Sequence, residues 1–495
     1  MAEQDQSRVG RRGFLNGMVV AAGGAALAPE LLAGNTARAA EPPAPKGERG
    51  YTPKLANYAA GLRYEDVPAE VRQRIKDCIT DTVAVILYGG KLPWSQMVIA
   101  HAKRTGPGGK SQILGTGGVM VHAPSAALAH GAMTHAFELD NLTNPDSGSH
   151  PGASMFSSGL AVAQERGASG LDLIAAMTAG AEVMIRIGRA AKGTIEPRGF
   201  HAPGTTGPFG GAVTCGKLMQ LDGARLTNAL GIAGSLSGGL MEFAHSNTGA
   251  MVKKLHLGRA AESGVLAASL ASEGFTGPDT VLEGESGFLR AFCNDRDSTE
   301  LTKGLGQDYA SMSIMVKRFA CHITAHRPVE AMLDLKNEYK FTAPDVAAIT
   351  VTGNSRMATT NNIPAPPDVL LAQYSIPFSV ALSLYRNPID PDSFDDNVQR
   401  DSQILAMAAR VKMLTEPAQE REDLTSVVAV TLKDGRSFSR KVTEFTGTPA
   451  RPLNRDGLAE KFLLLTKRFP RADMQRLFDR LQNLENEKTL DWIAV

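Results

Sequence analysis

Residues 138–152 read E-L-D-N-L-T-N-P-D-S-G-S-H-P-G, and the interpretation of the whole chain starts from them. Glu138 and Asp140 follow an apolar, alanine-rich run, and a loop rich in Asn, Pro, Asp, Gly and Ser leads to His150. This composition indicates a helix end followed by a long turn. Acids and a histidine on a loop between helices are suited to proton transfer. A capping role for Asp140 and a backbone hydrogen bond for His150 are equally open from this segment alone.

The segments before this loop have helical patterns. Apolar residues recur at three- and four-residue steps over 67–88, and Gly89-Gly90 ends that predicted helix. A second helix, predicted over 123–139, would carry Glu138 and Asp140 to its C-terminal end. The helix dipole disfavours anions there. The two carboxylates must therefore find cations or hydrogen-bond donors, or their proton affinity rises.

Small-residue helices are predicted after the loop, over 153–164, 171–187, 212–221 and 226–239. The G-F-H segment ends at His201, and a Gly/Thr/Pro-rich stretch over 202–211 is interpreted as a loop that opens the next helix. Free backbone N–H groups at such a helix start attract a carboxylate. A tight connection between helices is the plainer interpretation.

Two basic segments are candidates for binding an anion. Lys253, Lys254 and His256 stand just before an alanine-rich helix, where they form either a solvated turn or an anion clamp. The second segment, over 315–327, contains Lys317, Arg318, His322, His326 and Arg327. Its two histidines are spaced i,i+4 and would share one helix face.

No metal or cofactor is predicted. The i,i+4 histidines lack a third ligand or an H-E-x-x-H pattern. The cysteines at 78, 215, 293 and 321 are isolated, which argues against an iron–sulfur cluster or a structural zinc site. With 52 basic and 51 acidic residues the chain is electrically balanced, so binding to nucleic acid is not expected.

The pattern of elements changes after about residue 301. A strand is predicted over 346–352, and two further strands over 426–432 and 437–442 flank an Asp-Gly turn. The predicted fold is mainly α with an α+β domain. Its parts are a helical domain over 52–300, the α+β domain over 302–445, and a helical segment over 446–495 that returns to the helical domain, with a helix predicted over 458–484.

Residues 1–40 are predicted to be an export signal. Arg11-Arg12 begin a twin-arginine pattern, a weakly apolar stretch follows over 17–28, and 37–39 read A-R-A, a cleavage site. A periplasmic protein is therefore expected, carried there by the twin-arginine machinery. No later apolar run is long and uncharged enough to span a bilayer, so no membrane contact is expected after export.

Six motifs, in order, resemble the MmgE/PrpD family, whose members include 2-methylcitrate dehydratase, cis-aconitate decarboxylase and iminodisuccinate epimerase. They are H-A-F-E-L-D at 135–140, H-P-G at 150–152, G-F-H at 199–201 with G-P-F-G at 207–210, K-K-L-H-L-G at 253–258, G-F-T-G-P at 274–278 and the basic segment at 317–326. The likeness extends from about residue 52 to about 490. It implies a homodimer with a cofactor-free active site between a helical domain and an inserted α+β domain.

The resemblance, together with the basic segments, assigns the site residues. The catalytic candidates are Asp140, His150, His201, Lys253 and Lys317. The substrate-binding candidates are Glu138, Lys254, His256, Arg318, His322 and Tyr374. The chain departs from the family at two positions: Asn141 stands where many members have a second aspartate, and Phe378 where the decarboxylase has a tyrosine.

The predicted function is that of a hydro-lyase that dehydrates a small hydroxy-polycarboxylate such as 2-methylcitrate, without a cofactor. Asp140 with His150 or His201 would supply the base for a C–H proton and the acid for the departing hydroxyl. The lysines would stabilise charge developing on a carboxylate. A decarboxylase, an isomerase or epimerase acting on a related di- or tricarboxylate, and a non-catalytic periplasmic carboxylate-binding protein are the alternatives.

Overall fold

The computed structural model describes residues 50–143, 148–244, 246, 250–420 and 423–494. The helices are α1 (Tyr51–Gly61), α2 (Ala69–Gly89), α3 (Pro93–Thr105), α4 (Ala123–Thr134), α5 (Ser157–Arg166), α6 (Gly170–Ala190), α7 (Ala202–Leu218), α8 (Gly223–Ser235), α9 (Val252–Ser272), α10 (Phe288–Phe292), α11 (Ile323–Tyr339), α12 (Ser355–Thr359), α13 (Val369–Tyr374), α14 (Ile376–Tyr385), α15 (Ser402–Ala408), α16 (Arg455–Leu465) and α17 (Arg471–Gln482). The strands are β1 (Pro107–Gln112), β2 (Met120–Val121), β3 (Leu142–Thr143), β4 (Ile314–Met315), β5 (Val346–Gly353), β6 (Val411–Thr415), β7 (Ser426–Leu432) and β8 (Ser437–Val442).

The helical part is packed around α4, α7 and α9. Helix α9 lies against both α4 and α7, and α7 also contacts α6. Small residues make this close approach possible: a Cβ atom on Gly264 of α9 would lie 2.6 Å from the backbone carbon of Gly211 in α7. Such spacing leaves no room for a larger side chain. The glycine and alanine content of these helices therefore follows from their packing distance.

The α+β part contains a four-stranded sheet in the order β6-β5-β7-β8. Strands β5 and β6 are parallel, whereas β7 pairs antiparallel with both β5 and β8. Alternate residues of β7 are buried, as expected for a sheet with one covered face, and α11 packs against β7 and β8. The strands and the hairpin indicated by the sequence are present, and the predicted fold class, mainly α with an α+β part, is confirmed.

Two features connect the C-terminal half of the chain to the segment at 138–152. Strand β3, within that segment, pairs antiparallel with β4, which ends two residues before Lys317. Helices α16 and α17 pack against α2. These contacts bring distant parts of the sequence to the same end of the helical part.

Three helix predictions need correction. Helix α4 ends at Thr134 and not at 139, so the carboxylates are on a loop. The Gly/Thr/Pro-rich stretch forms the first half of α7, with Pro208 inside the helix. The helix predicted to run from 458 to 484 is two helices, since α17 begins after Pro470.

The other predictions about organisation have different outcomes. Residues 46–495 form one compact unit, and the predicted domain boundaries stay predictions. The predicted signal, 1–40, lies outside the described residues.

All four cysteines are buried and unpaired. Among the described helices none meets the length and apolarity of a membrane span by itself, although α2 and α3, bent by 96°, do so as a pair.

Candidate active site

The loop after α4 turns sharply and directs its two carboxylates inward. His135 is the C-terminal capping residue of α4, and Glu138 has a φ of 33°, in the left-handed region that non-glycine residues rarely occupy. Strain of this kind persists only where surrounding contacts hold it. Here those contacts are ionic, because Glu138 and Asp140 are both almost completely buried and both carry basic partners.

Glu138 holds two lysines from distant segments. The Nζ of Lys317 donates to its Oε2 at 2.8 Å, and the Nζ of Lys253 donates to its Oε1. Lys253 lies in the first turn of α9, and Lys317 lies between β4 and α11. Burial lowers the pKa of Lys317, although the charge of Asp140 opposes this effect. We call Glu138, Lys253 and Lys317 the ammonium side of the site.

Asp140 holds two imidazoles in the same way. Its Oδ2 lies 2.9 Å from the Nδ1 of His135 and 2.7 Å from the Nδ1 of His150. Burial alone would raise the pKa of Asp140, but the neighbouring imidazoles of His150 and His135 and the charge of Lys317 outweigh burial and hold the pKa well below its usual value. An ionised carboxylate only accepts hydrogen bonds, so both Nδ1 atoms must donate. The Nε2 atoms of both rings are therefore left for other partners.

The loop is fixed from behind by buried polar contacts. The amide nitrogen of Asn141 donates to Asp81 at 3.0 Å, and its oxygen accepts from the backbone N–H of Gly152 at 2.9 Å. Lys461 of α16 donates to both Asp81 and the carbonyl of Leu139. A Cβ atom on Gly152 would lie 2.1 Å from the Oγ1 of Thr82, so only glycine fits this close approach.

His150 is followed by an unusual helical turn. The backbone over Gly152–Phe156 forms a π-helix before α5 begins. Such turns are uncommon and occur often at functional sites. The hydrogen bond between Gly152 and Asn141, together with the π-helical turn that follows, fixes the direction of His150.

A second pair of imidazoles lies on the other side of His135. His201 is the N-terminal capping residue of α7, and its ring centroid lies 5.7 Å from that of His135. The Nδ1 of His201 lies 3.2 Å from the Nδ1 of His256, in the second turn of α9. We call Asp140, His135, His150, His201 and His256 the imidazole side.

Burial keeps most of these imidazoles neutral. Burial, with the neighbouring His256 and His150, lowers the pKa of His201 well below its ordinary value. Burial also lowers the pKa of His135 well below its ordinary value, against the opposing charge of Asp140. The pKa of His256 falls to about 4 through burial and the charge of Lys253.

A cavity opens between the ammonium side and the imidazole side. Among the residues lining it are His135, Glu138, His150, His201, Lys253, Lys317, His322 and Tyr374. The rings of His322 and Tyr374 stack with centroids 4.5 Å apart, and the Nζ of Lys253 lies 4.9 Å from the centre of the Tyr374 ring. Of the ten residues named for the two sides and the cavity wall, all except His135 were predicted from the sequence.

Some predicted site residues do not line this cavity. Asp140 lies behind the two imidazoles that it binds, and Lys254 and His256 lie next to lining residues. Burial lowers the pKa of Lys254 to about 7, against the opposing charge of Asp140. These three residues can affect a bound molecule through their neighbours or through charge.

The prediction for Arg318 is wrong. Its guanidinium lies 3.8 Å from Glu330, and it lines two grooves elsewhere on the surface. The physical reason is the ion pair with Glu330 of α11, which holds the guanidinium away from the cavity. Lys317 faces the cavity, and its neighbour faces away.

Two functional candidates were missed from the sequence. His135 begins the H-A-F-E-L-D motif, and its spacing from Asp140 was the available signal. Arg356 of α12 lines the cavity and lies 3.4 Å from Glu196, also a lining residue. No local pattern marks Arg356, because only the tertiary fold brings α12 to this place.

One group of side chains in the described part of the chain has the spacing of metal ligands. One ligand atom each from His135, Asp140 and His150 can be chosen so that all lie within 4.8 Å of one another. A metal ion bound through these Nδ1 atoms would have to replace both hydrogen bonds to the carboxylate. The absence of a metal requirement stays a prediction.

The chain is similar over most of its length to cis-aconitate decarboxylases. It is 28% identical to the enzyme of Aspergillus terreus over 446 residues, which cover 84% of this chain and 89% of the relative. A second Aspergillus terreus sequence is 30% identical over 71% of this chain and 76% of the relative. The Homo sapiens enzyme is 26% identical over 88% of this chain and 92% of the relative.

The relatives overturn the predicted location. They are cis-aconitate decarboxylases of Aspergillus and of mammals, and the prediction of a periplasmic location is therefore wrong.

Family models agree with the motifs. The MmgE/PrpD N-terminal domain matches residues 53–301, and the MmgE/PrpD C-terminal domain matches residues 319–484. The matches contain every residue of the ammonium side and of the imidazole side except Lys317, which lies just before the second match. The chain belongs to the MmgE/PrpD family and is an enzyme of the lyase type.

Proposed function

We propose that this protein is a carboxy-lyase that releases carbon dioxide from cis-aconitate or a close unsaturated tricarboxylate. The observation that carries the proposal is the pairing of the two buried carboxylates. Glu138 is occupied by two lysines and Asp140 by two imidazoles. Neither carboxylate is therefore free to act as a base. The similarity to cis-aconitate decarboxylases supports the same conclusion.

Decarboxylation does not require a strong base. The bond between the leaving carboxylate and its methylene carbon breaks, and its electron pair forms a new double bond to the next carbon. The old double bond shifts its electrons onto the carbon beside another carboxylate, and that carbon takes up one proton. The reaction therefore needs cations for the developing charge and one proton donor.

Each side of the site supplies one of these needs. Lys253 and Lys317 are placed to bind carboxylates of the substrate, each charge-assisted hydrogen bond contributing about 1.5–3 kcal/mol. His150 is our candidate for the donor, because Asp140 at 2.7 Å stabilises its imidazolium and leaves its Nε2 for the substrate. Asp140 then acts as a positioning residue and does not contact the substrate.

Dehydration of a hydroxy-polycarboxylate is the second candidate. A neutral His150 whose Nδ1 donates to Asp140 has an unprotonated Nε2, and that atom could remove a C–H proton. The two reactions differ in proton balance. Decarboxylation of an ionised acid consumes one proton for each carbon dioxide released, whereas dehydration moves a proton from carbon to the leaving hydroxyl and consumes none.

The test uses the purified chain with cis-aconitate, citrate and 2-methylcitrate. We expect carbon dioxide and an unsaturated dicarboxylate from cis-aconitate, detected by mass spectrometry, with proton uptake in weakly buffered solution. Asp140→Asn serves as the control for contaminating activity. An unsaturated tricarboxylate formed from 2-methylcitrate, without carbon dioxide, would instead establish the dehydratase. No turnover of any of the three acids would contradict both candidates.

The expected homodimer stays a prediction, to be measured by light scattering during size-exclusion chromatography.

A further inference from the structure

The contact between His201 and His256 joins two identical atoms. Both partners are Nδ1 atoms, 3.2 Å apart. A hydrogen bond between them requires one Nδ1 to carry the proton and the other to be bare. The low pKa of both rings keeps the pair neutral near pH 7. The two rings must therefore be in opposite tautomers, and the direction of this bond decides which nitrogen of His201 carries its proton.

The surroundings favour donation by His256. His201 lines the cavity, whereas His256 does not and is partly exposed to solvent. If the Nδ1 of His256 donates, then His201 carries its proton on Nε2, the nitrogen left for the cavity. A carboxylate bound there stabilises an Nε2–H donor and repels a bare nitrogen. The charged and titratable groups around His201 are Asp140, His135, His150, His256 and Lys254.

The ring of His256 is held in place for this contact. The ring of Phe243 packs against both imidazoles, with centroids 5.2 Å from His201 and 5.9 Å from His256. A Cβ atom on Gly239 would lie 3.1 Å from the Cγ and Nδ1 of His256, so this glycine lets the backbone approach the ring closely. The backbone N–H of His201 also donates to the carbonyl of Gly239 at 3.0 Å.

We propose that His256 is a positioning residue that sets the tautomer of His201 and makes it a neutral hydrogen-bond donor to the substrate. Asp140 sets the opposite tautomer in His150, since its carboxylate requires Nδ1 to carry the proton. His150 and His201, which both line the cavity, then have distinct roles. His150 transfers the proton, and His201 stabilises the oxygen on which charge develops, as a preorganised donor does in an oxyanion hole. The catalytic role rests on the proposed function, whereas the tautomer of His201 does not.

Two isosteric substitutions separate the tautomer from packing. In His256→Gln the side-chain amide can donate to the Nδ1 of His201 and preserve its tautomer. In His256→Glu the carboxylate can only accept, so His201 must move its proton to Nδ1. The partial exposure of His256 lets the fold accept either side chain, and circular dichroism with thermal unfolding checks this for each variant.

The direct readout is nitrogen NMR of protein labelled in its histidines, with the His201 signals assigned by their loss in His201→Gln. We expect Nε2 of His201 to be protonated in the parent protein and in His256→Gln when a polycarboxylate is bound. We expect Nδ1 to be protonated in His256→Glu. The same tautomer of His201 in all three proteins, or a protonated Nδ1 in the parent, would overturn the proposal.

The kinetic readout tests the role assigned to the tautomer. Removal of one donor of this kind costs roughly 10²–10³ in kcat. We therefore expect His256→Glu to lower kcat with cis-aconitate by about 100-fold and His256→Gln to stay within about threefold of the parent. Equal activities of the Gln and Glu variants, despite inverted tautomers, would refute the role. If the parent turns over no acid, the proposed function fails while the NMR result still decides the tautomer.

Discussion

The ammonium side and the imidazole side of the cavity have the same design but different chemistry. On each side one buried carboxylate from the loop after α4 binds two basic side chains from elsewhere in the chain. Glu138 binds two primary amines, and Asp140, two residues later, binds two imidazoles. The backbone supplies both acids from one short loop, and the partners alone make the two sides different.

The difference separates substrate binding from proton transfer. An ammonium group on a flexible stem is a point charge with donors only, so it suits carboxylates in any rotational position. An imidazole has one nitrogen that can be fixed by a neighbour and another that can give or take a proton near pH 7. Substitutions on one side should therefore change affinity, and substitutions on the other should change turnover.

The largest effect is expected for Asp140→Asn. The amide oxygen of asparagine accepts the two Nδ1–H hydrogen bonds more weakly than a carboxylate does, and the substitution removes the charge that stabilises a protonated His150. By analogy with other carboxylate–imidazole pairs, we expect kcat to fall by roughly 10³–10⁴-fold. Steady-state kinetics with cis-aconitate measure this. A fall of less than tenfold would remove Asp140 from the mechanism.

A smaller effect, on affinity, is expected for Lys253→Met. Loss of one charge-assisted hydrogen bond should raise KM by about 10- to 100-fold, with a smaller change in kcat. Arg318→Met is the matched control for loss of a cation nearby, because Arg318 faces Glu330 and not the cavity. The control should stay within about twofold of the parent in both parameters. A larger effect of Arg318→Met would mean that the site extends beyond the cavity.

Affinity should also depend on pH through Lys254. Its pKa is about 7 in the free protein, and the charge of a bound polycarboxylate raises it toward the ordinary value. Binding then takes up a proton above about pH 7, so affinity falls by up to about tenfold per pH unit in that range. Binding titrations at pH 7, 8 and 9 with the inactive His150→Gln measure this without turnover, and they keep Asp140, whose charge affects the pKa of Lys254. Flat affinity over this range would contradict the account of Lys254.

The smallest effect is expected from a chelator. The Nδ1 atoms of His135 and His150 already donate to Asp140, so a resident ion would have to break both bonds. Dialysis against a strong chelator should leave kcat within experimental error. Loss of activity that returns with one added metal ion would show that these three side chains are ligands instead.

Most of the fold and most of the site could be predicted, and the failures have local causes. The periodic pattern of α2 and the hairpin of β7 and β8 are determined by nearby residues. The end of α4 is not: the pattern predicts a helix to residue 139, but α4 ends at Thr134, and the loop that follows contains Glu138 in a left-handed conformation, bound to two lysines from distant segments. Local propensity cannot include such a contact.

The stretch at 202–211 shows the opposite failure. Its glycines, threonines and proline are typical of a loop, yet it is helical, because the close packing of α7 against α9 favours small residues over strong helix formers. Similarly, sequence could show that Lys317 and Arg318 are basic, but not that Lys317 binds Glu138 at the cavity while Arg318 pairs with Glu330 elsewhere. The pairing of His201 with His256 also depends wholly on tertiary structure.

The most direct test of the division between the two sides is a pair of calorimetric titrations with cis-aconitate. We predict that Asp140→Asn, although inactive, binds within about threefold of the dissociation constant of an inactive reference, His150→Gln. We predict that Asp140→Asn combined with Lys317→Met binds at least about tenfold more weakly than Asp140→Asn alone, for the loss of one charge-assisted contact. Equal affinities with and without Lys317 would contradict the central claim that the ammonium side binds the substrate.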